Sequence, residues 1–403
     1  MVSKIIINKK KCICGGNLKK QINFGELPII NNFKKTKTSK YPTIVTQCKK
    51  CLLIQLKYSV ADELVFPKNY SYLSSDSKEK LEDFNDLIKK LKSRFKFKKP
   101  SIIDIGGNDG ALMKCAKKLG FKVLNVEPTN VALISKKNGV PTLQKKFDFN
   151  LAKILNKKKI KFNFVASTNF FAHTNDLKNI INGSKLILDK NGVMVIEVHY
   201  LYRVIKNNGF DSFHQDHKYY YSINSLKKIL KKFSLNVFDA EFLKKNNEIL
   251  RVFVDNNVRS NTIRLNKLIK NENDKNVFKK LIKLNEFRKK YVLKLKKLIN
   301  KLHSKNYKIY GISAAPRGCV LLNSANFSNK QIKMVGEVPK SFKLNKFIPG
   351  SNIPIKNEKI IIKNKPNYVI ILAWHLQKRL RKILVKNGFK GKFIIPLPKL
   401  KIS

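Results

Sequence analysis

The hydrophobic pattern is most regular over residues 101–127, where it predicts a strand, a turn, a helix and a second strand. An apolar run at 102–105 is followed by glycines and small polar residues at 106–110. Apolar residues then recur at helical spacing over 111–119, and another apolar run follows at 122–126. In a strand–turn–helix unit of this kind, the glycines let a ligand approach the backbone of the turn and the free N–H groups at the start of the helix.

Strand and helix signals alternate along most of the remaining chain. Further strands are predicted at 164–167, 192–198, 368–375 and 392–398, and residues 308–318 repeat the pattern of a strand, a small-residue turn and a helix. Alternation of this kind predicts parallel sheets covered by helices. Apolar residues at helical spacing within the basic segment 260–304 predict an amphipathic connector between two α/β units.

The charge of the chain is strongly positive. It has 403 residues with 85 Lys+Arg against 26 Asp+Glu, which gives a formal net charge of +59. Such a balance is typical of proteins that bind nucleic acid. Lysine is nevertheless spread along nearly the whole chain together with Ile and Asn, as A/T-rich codons would produce. The sequence therefore predicts a lysine-coated surface without specific nucleic-acid binding, suited to an anionic substrate such as a nucleotide diphosphate.

The apolar segments and the cysteines predict a location in the cytoplasm. No apolar run approaches the length of a membrane span, and residues 5–7 are too short for the apolar part of a signal peptide. Six cysteines in a chain of this size favour a reducing compartment over a disulfide framework. A cytoplasmic monomer without a membrane span is expected.

Four cysteines form two close pairs near the N-terminus. Cys12 and Cys14 are separated by one residue, and Cys48 and Cys51 by two. Two pairs of thiolates are the usual ligands of one structural, tetrahedral zinc ion. Reduced free thiols are the alternative, and the single-residue spacing of the first pair leaves its loop geometry open.

The turn at 106–110 predicts a cofactor with a ribose but no pyrophosphate. Glu127 ends the second strand 21 positions after Gly106, the spacing at which nucleotide-type folds place a carboxylate on ribose hydroxyls. Asn108 and Ala111 occupy the second and third glycine positions of the dinucleotide motif, which argues against a pyrophosphate. S-adenosylmethionine (SAM) fits this pattern, and an ordinary βα turn is the alternative.

Histidines are concentrated in one part of the chain. His173 and His199 follow two predicted strands, at the sheet edge where such folds bind ligands. His214 and His217 lie in a segment rich in aromatic residues, next to Asp216. This arrangement suits general acid–base catalysis, and a metal site or a solvated loop are the alternatives.

Taken in order, the motifs resemble those of SAM-dependent sugar C-methyltransferases that act on nucleotide-linked deoxysugars. The resemblance covers nearly the whole chain. It is carried by Cys48-x-x-Cys51 with Leu53-x-Gln55-Leu56, Tyr70-x-Tyr72-x-Ser74-Ser75, residues 105–110, residues 169–173, Asp216-His217 before Tyr220, residues 349–355 and residues 372–374. The family combines a four-cysteine zinc domain, a central SAM domain and a C-terminal α/β domain.

The resemblance implies a site and a mechanism. His217 matches the expected base, which would remove the proton next to a keto group so that the resulting enolate carbon attacks the SAM methyl. Asp216 would orient this base, His173 matches a second active-site histidine, and Tyr220 would donate to the enolate oxygen. His214 stands where the family has tyrosine, so positioning is its expected role. The residues expected around SAM are Tyr70, Tyr72, Ser75, Asp104, Gly106, Gly107, Asn108, Asp109, Gly110, Glu127 and Asn169.

The predicted fold class is α/β, with a small zinc-binding domain (1–70), a Rossmann-like SAM domain (71–258), a helical connector (259–304) and a second Rossmann-like domain for the nucleotide sugar (305–403). The sequence departs from the family around residues 246–249 and 312–318, which leaves the sugar and the methylated atom open. The alternatives are an O- or N-methyltransferase of the same fold and a zinc-ribbon nucleic-acid-binding protein with a degenerate SAM fold.

Overall fold

An antiparallel sheet forms the N-terminal part of the computed structural model, which describes residues 5–257 and 259–403. Its elements are β1 (Ile6–Asn8), β2 (Leu18–Pro28), β3 (Lys40–Cys48), β4 (Ile54–Leu56), β5 (Tyr58–Val60) and α1 (Asp62–Val65). Strands β2, β3 and β4 pair in chain order, and β1 pairs with β5. The two cysteine pairs lie where β2 begins and where β3 ends.

A seven-stranded sheet with helices forms the central part. Its elements are α2 (Lys78–Arg94), β6 (Ser101–Ile105), α3 (Ala111–Lys118), β7 (Lys122–Val126), α4 (Val131–Lys137), β8 (Thr142–Leu143), α5 (Phe149–Lys157), β9 (Phe162–Thr168), α6 (Leu177–Ile187), β10 (Leu188–His199), α7 (Leu201–Lys206), β11 (Tyr219–Tyr220), α8 (Ile223–Lys231), β12 (Asn236–Phe242), β13 (Ile249–Asp255) and α9 (Ile263–Lys270). The strand order is β12-β13-β10-β9-β6-β7-β8, with β13 antiparallel to its neighbours. This is the predicted Rossmann-like sheet, and its strands β6, β9 and β10 end at one edge.

Strand β11 leaves the central part and joins the N-terminal sheet. It pairs with β4 in antiparallel orientation, with Tyr219 opposite Gln55 and Tyr220 opposite Ile54. The segment after His217 is therefore held by the N-terminal sheet, across the boundary predicted at residue 70. The boundary predicted at 258 falls on a residue outside those described.

A second α/β sheet forms the C-terminal part. Its elements are α10 (Asp274–Ser304), β14 (Ile309–Ile312), α11 (Pro316–Ser324), β15 (Val335–Glu337), β16 (Ile355–Asn357), α12 (Lys359–Asn364), β17 (Tyr368–Ile371), α13 (Gln377–Lys386), β18 (Lys392–Ile395) and β19 (Lys401–Ile402). The strand order is β16-β15-β14-β17-β18-β19, parallel except for β19. The strand predicted at 368–375 ends earlier, at Ile371, and residues Trp374–Leu376 form a 3₁₀ turn.

Helix α10 joins the N-terminal and C-terminal cores. Val277, Leu281, Leu284, Leu295 and Ile299 follow helical spacing and are buried in one cluster with side chains of β2 and of the C-terminal sheet. Burying each such side chain contributes about 1.5–3 kcal/mol relative to leaving it in water. The predicted connector is therefore two helices, since α9 packs instead on β12. Within the described ranges, each helix is too short or too polar to cross a bilayer.

Candidate active site

The turn between β6 and α3 depends on glycine at several positions. Gly106 and Gly110 have positive φ angles of 71° and 75°. A Cβ added at Gly107 would lie 2.0 Å from Asn125 Oδ1, and one added at Gly110 would lie 2.2 Å from Ser135 Oγ. These distances leave no room for a side chain, so the turn stays tight and a ligand can approach the first N–H groups of α3.

Glu127 lies directly against this turn, as the spacing predicts. Its side chain is buried, and its Oε2 accepts a hydrogen bond from the Asn108 backbone N–H at 3.1 Å. Its Oε1 accepts from the Thr129 N–H at 3.0 Å and from the Thr129 hydroxyl at 2.7 Å. A carboxylate has about four acceptor positions, so these three bonds leave one on Oε2 for a ligand hydroxyl.

The loop that contains Tyr72, Ser74 and Ser75 lies on top of the turn. The Asn108 side-chain amide donates to the Tyr72 carbonyl at 2.9 Å and accepts from the Ser74 N–H at 2.9 Å. The Ser75 N–H donates to Asp109 Oδ2 at 3.0 Å. The side chains of Asn108 and Asp109 therefore hold the loop in place.

Aromatic rings connect the turn to the first histidine. A Cβ added at Gly106 would lie 2.8 Å from the Phe170 ring. The Phe66 ring lies 6.2 Å from Phe170, 5.6 Å from Tyr70 and 6.0 Å from His173, between ring centroids. The turn and the histidines are therefore connected by one row of packed aromatic rings.

Two further predicted residues lie near the C-terminal ends of β6 and β9, on the side of the turn. Asp104 is buried, and its Oδ1 has no hydrogen-bond partner within the described part of the chain. Burial raises the pKa of Asp104 well above its usual value. Asn169 follows β9 with a positive φ of 59°. A buried polar atom without a partner costs free energy, and a ligand group bonded to this oxygen would remove that cost.

His217 is the centre of a cluster of four histidines. Its ring centroid lies 4.2 Å from that of His214, 4.9 Å from that of His173 and 5.0 Å from that of His199. His173 and His199 lie just beyond β9 and at the end of β10, as the sheet-edge argument predicts. The chain thus brings together residues that are up to 44 positions apart.

The orientation of His217 differs from the expectation. His217 Nδ1 lies 2.9 Å from the Ser212 carbonyl oxygen, so Nδ1 carries the proton and donates, which leaves Nε2 as an acceptor. Asp216 accepts instead from Asn31 Nδ2 at 3.0 Å, and its Oδ1 lies 3.8 Å from His214 Nδ1. The expectation that Asp216 orients His217 is therefore wrong, because a backbone carbonyl occupies that position.

Burial disfavours the charged forms of the histidines in this cluster and of Asp216. Burial, with smaller effects from neighbouring cations, lowers the pKa of His217 and of His199 to about 3. Burial raises the pKa of Asp216 to about 6, against the hydrogen bond from Asn31. Both histidines are therefore neutral at neutral pH, so that Nε2 of His217 is free to accept a proton.

Tyr220 lies beside the cluster, with its ring centroid 6.3 Å from that of His217. Its side chain is buried, and burial raises the pKa of its hydroxyl. A protonated hydroxyl beside His217 is suited to donate a hydrogen bond to a ligand oxygen.

The four N-terminal cysteines fit a tetrahedral metal ion. Their Sγ atoms all lie within 4.8 Å of one another, with Cys12 and Cys51 at 3.6 Å and Cys14 and Cys48 at 3.4 Å. Sulfurs bound to one zinc at about 2.3 Å would be about 3.8 Å apart. The single-residue spacing of the first pair is thus compatible with the site. Across the described ranges, these four cysteines are the group of at least three His, Cys, Asp or Glu side chains that could hold a metal ion.

Four features of the site were missed by the sequence analysis. Asn125, a polar residue within an apolar strand, donates to the Asn108 carbonyl at 3.1 Å. Lys80 lies 3.3 Å from the Ser74 hydroxyl, at the edge of the cofactor turn. The Ser212 carbonyl accepts from His217, and Arg317 forms an ion pair with Asp211, one residue before Ser212. Only Asn125 carries a sequence signal, because a buried polar residue interrupts its strand.

Comparisons with known proteins identify two matching domains and one relative that spans both. Residues 78–240 match a family model described as a methyltransferase domain, and residues 249–398 match one described as a C-methyltransferase C-terminal domain. C-methyltransferase NovU of Streptomyces niveus is 23% identical over 398 residues, which cover 94% of this chain and 93% of NovU.

Solved structures resemble the chain at lower coverage. A SAM-dependent methyltransferase from Clostridium acetobutylicum is 15% identical, with 48% of this chain and 95% of that chain covered and a TM-score of 0.34. Magnesium protoporphyrin IX methyltransferase from Synechocystis, solved with bound SAH, is 10% identical, with 44% and 83% covered and a TM-score of 0.35. The two adjacent family models and the relative that spans both show that this chain joins a methyltransferase domain to a C-methyltransferase C-terminal domain, and they support a SAM-dependent C-methyltransferase.

Proposed function

We propose that the protein methylates a carbon atom of a nucleotide-linked keto-deoxysugar, with His217 as the base. The observation that supports this proposal is the position of His217, whose Nδ1 donates to the Ser212 carbonyl and leaves Nε2 as an acceptor. Its ring packs on His173, which is connected to the cofactor turn through Phe66 and Phe170. Carbon methylation requires removal of a weakly acidic proton, and a positioned neutral imidazole is suited to that step.

In the proposed reaction, His217 Nε2 takes the proton from the carbon next to the ketone, and the electrons of the broken C–H bond form the enolate. The Tyr220 hydroxyl donates to the developing enolate oxygen, a contribution that is often the largest electrostatic one in such reactions. When bound, SAM would supply a methyl group on a positively charged sulfur, which leaves as a neutral thioether. Gly106 to Gly110, Asp104 and Glu127 would hold it.

The pKa of His217 must rise when substrate binds, since a base with a pKa of about 3 is a weak proton acceptor. Lys218 and Arg317 are among the groups whose positive charge lowers it. A nucleotide diphosphate would bring negative charge to the histidine cluster and oppose these cations. The proposed substrate therefore strengthens the base that acts on it.

The C-terminal sheet supports a nucleotide as part of the substrate. The residues between β14 and α11 form a second tight turn, and Glu337 at the end of β15 accepts a hydrogen bond from the Ala314 N–H at 2.9 Å. This repeats the relation of Glu127 to Asn108. Lys343 Nζ lies 3.5 Å from Glu337 and provides a nearby cation. We therefore assign the nucleotide to this domain and retain the domain division 1–70, 71–258, 259–304 and 305–403.

We further propose that Cys12, Cys14, Cys48 and Cys51 hold one structural zinc ion. The Lys50 N–H lies 3.3 Å from Cys48 Sγ, as expected for a backbone donor to a thiolate. A Cβ added at Gly16 would lie 2.7 Å from Cys48 Sγ, so this glycine lets the first knuckle approach the second. The proposed enzyme is cytoplasmic and monomeric.

The proposed function is tested with purified protein, SAM carrying a ¹³C-labelled methyl group and a panel of nucleotide-linked 4-keto-deoxysugars. The expected product is heavier by one CH₂ unit and shows the labelled methyl coupled to a ring carbon in the NMR spectrum. A methyl group on oxygen or nitrogen would contradict the enolate mechanism and favour an O- or N-methyltransferase. Activity with free sugars alone would contradict the assignment of a nucleotide to the C-terminal domain.

A further inference from the structure

Arg317 connects the C-terminal domain to the segment that contains the histidines. It is the second residue of α11, and its guanidinium spans both carboxylate oxygens of Asp211, with Nη2 donating to Oδ1 at 3.0 Å and Nε donating to Oδ2. Its Nη1 lies 3.5 Å from Glu248 Oε2. Asp211 is fully buried, so this planar, two-point contact is its main charge compensation.

Asp211 belongs to the same short turn that orients His217. Residues Phe210–Ser212 form one 3₁₀ turn, and the carbonyl of Ser212 accepts the hydrogen bond from His217 Nδ1. The side chain of Phe210 packs against Tyr291 of α10, with ring centroids 6.0 Å apart. The turn is therefore fixed on one side by the C-terminal core and on the other by Arg317.

We propose that Arg317 is a positioning residue for proton abstraction, acting through Asp211 and the Ser212 carbonyl on the His217 ring. The inference rests on the proposed function, which assigns the base to His217. With its guanidinium committed to Asp211, Arg317 holds the carbonyl that selects the tautomer and the direction of Nε2. Correct docking of the C-terminal domain is thus required for the chemical step as well as for substrate binding.

Loss of the Arg317 side chain should mainly affect the chemical step. Removing it leaves the buried Asp211 carboxylate without its partner, so the turn must move or admit water. A displacement of about 1 Å at a reacting group lowers the rate by about 10²-fold. Arg317→Lys keeps the charge but can make only one of the two contacts, so an intermediate loss is expected.

The test compares wild type with Arg317→Met, Arg317→Lys and, as a matched control, Arg264→Met. Arg264 also contacts a carboxylate, that of Asp239, through two of its nitrogens, but it lies outside the histidine segment.

The readouts are deuterium exchange into a nucleotide-linked keto-sugar without SAM, kcat and KM for methyl transfer, SAM affinity and the melting temperature. Arg317→Met should lose about 10²-fold in exchange and kcat with SAM affinity unchanged, and added guanidinium should restore part of the loss. The control should change the melting temperature alone.

The outcomes separate the inference from the proposed function. If folded Arg317→Met exchanges deuterium at the wild-type rate, or if only its KM changes, the inference is overturned. The proposed function survives this result as long as His217→Asn, measured alongside, still abolishes exchange. Equal losses in Arg317→Met and Arg264→Met, without guanidinium rescue, would assign Arg317 a merely structural role and also overturn it. Undiminished exchange in His217→Asn would overturn the proposed base and the inference together.

Discussion

Replacing Glu127 with Gln should weaken SAM binding with little change of volume. Three of the four acceptor positions of Glu127 are filled by Asn108 and Thr129, so one remains for a ribose hydroxyl. A hydrogen bond to a charged group contributes about 1.5–3 kcal/mol, which corresponds to about 10- to 150-fold in Kd. Gln has a single carbonyl oxygen with two acceptor positions, too few for the three protein donors and the ribose.

The measurement is isothermal titration calorimetry with SAM at fixed salt. Thr129→Val is the matched control, because it removes one donor to Glu127 and leaves the carboxylate free to bind ribose; its SAM affinity should be retained. Melting temperatures of both variants show whether the turn stays folded. An unchanged Kd in Glu127→Gln would refute the ribose assignment. Equal weakening in both variants would show that Glu127 supports the turn and does not contact the cofactor.

Three further predictions concern the whole protein. Elemental analysis should find one zinc per chain, and chelation should lower the melting temperature because metal binding is coupled to folding; protein without stoichiometric zinc would contradict the site. DNA and RNA binding should be weak and fall steeply with salt; a sequence-selective complex at physiological salt would favour the nucleic-acid-binding alternative. Since the pKa values of His199 and His217 are lowered from 6.5 to about 3 on folding, stability should be full above pH 6.5 and fall as the pH approaches 3. A wild-type melting temperature that stays constant between pH 6.5 and 3 would contradict this reasoning. So would a fall in the melting temperature of His199→Gln that is as large as that of the wild type over the same pH range.

The parts of the structure that depend on local sequence were predictable. Glycines, an apolar strand and a helix within 20 residues define the cofactor turn, and the acid Glu127 follows from the length of one βα unit. The loop at Tyr70 to Ser75 was recognised from its family motif, and the structure places it on Asn108 and Asp109. The cysteine pairs were recognisable because each lies within a few residues and zinc requires four ligands.

The parts that depend on contacts distant in sequence were not predictable. The expected partner of His217 was its neighbour Asp216, but the ring bonds to a backbone carbonyl, which has no residue-specific signal. Arg317 meets Asp211 from a position 106 residues later, through the docking of two domains. Similarly, β11 is too short to show a strand pattern and forms only because β4 offers an unpaired edge.

The most direct test of the central claim is solvent exchange at the substrate carbon. Wild-type protein and His217→Asn are incubated in D₂O with a nucleotide-linked 4-keto-deoxysugar without SAM, and deuterium next to the ketone is followed by NMR. The wild type should introduce deuterium, and His217→Asn should be slower by about 10²–10⁴-fold with its SAM affinity unchanged. Exchange at the wild-type rate in His217→Asn would place the base elsewhere, with His173 the next candidate, and would contradict this account.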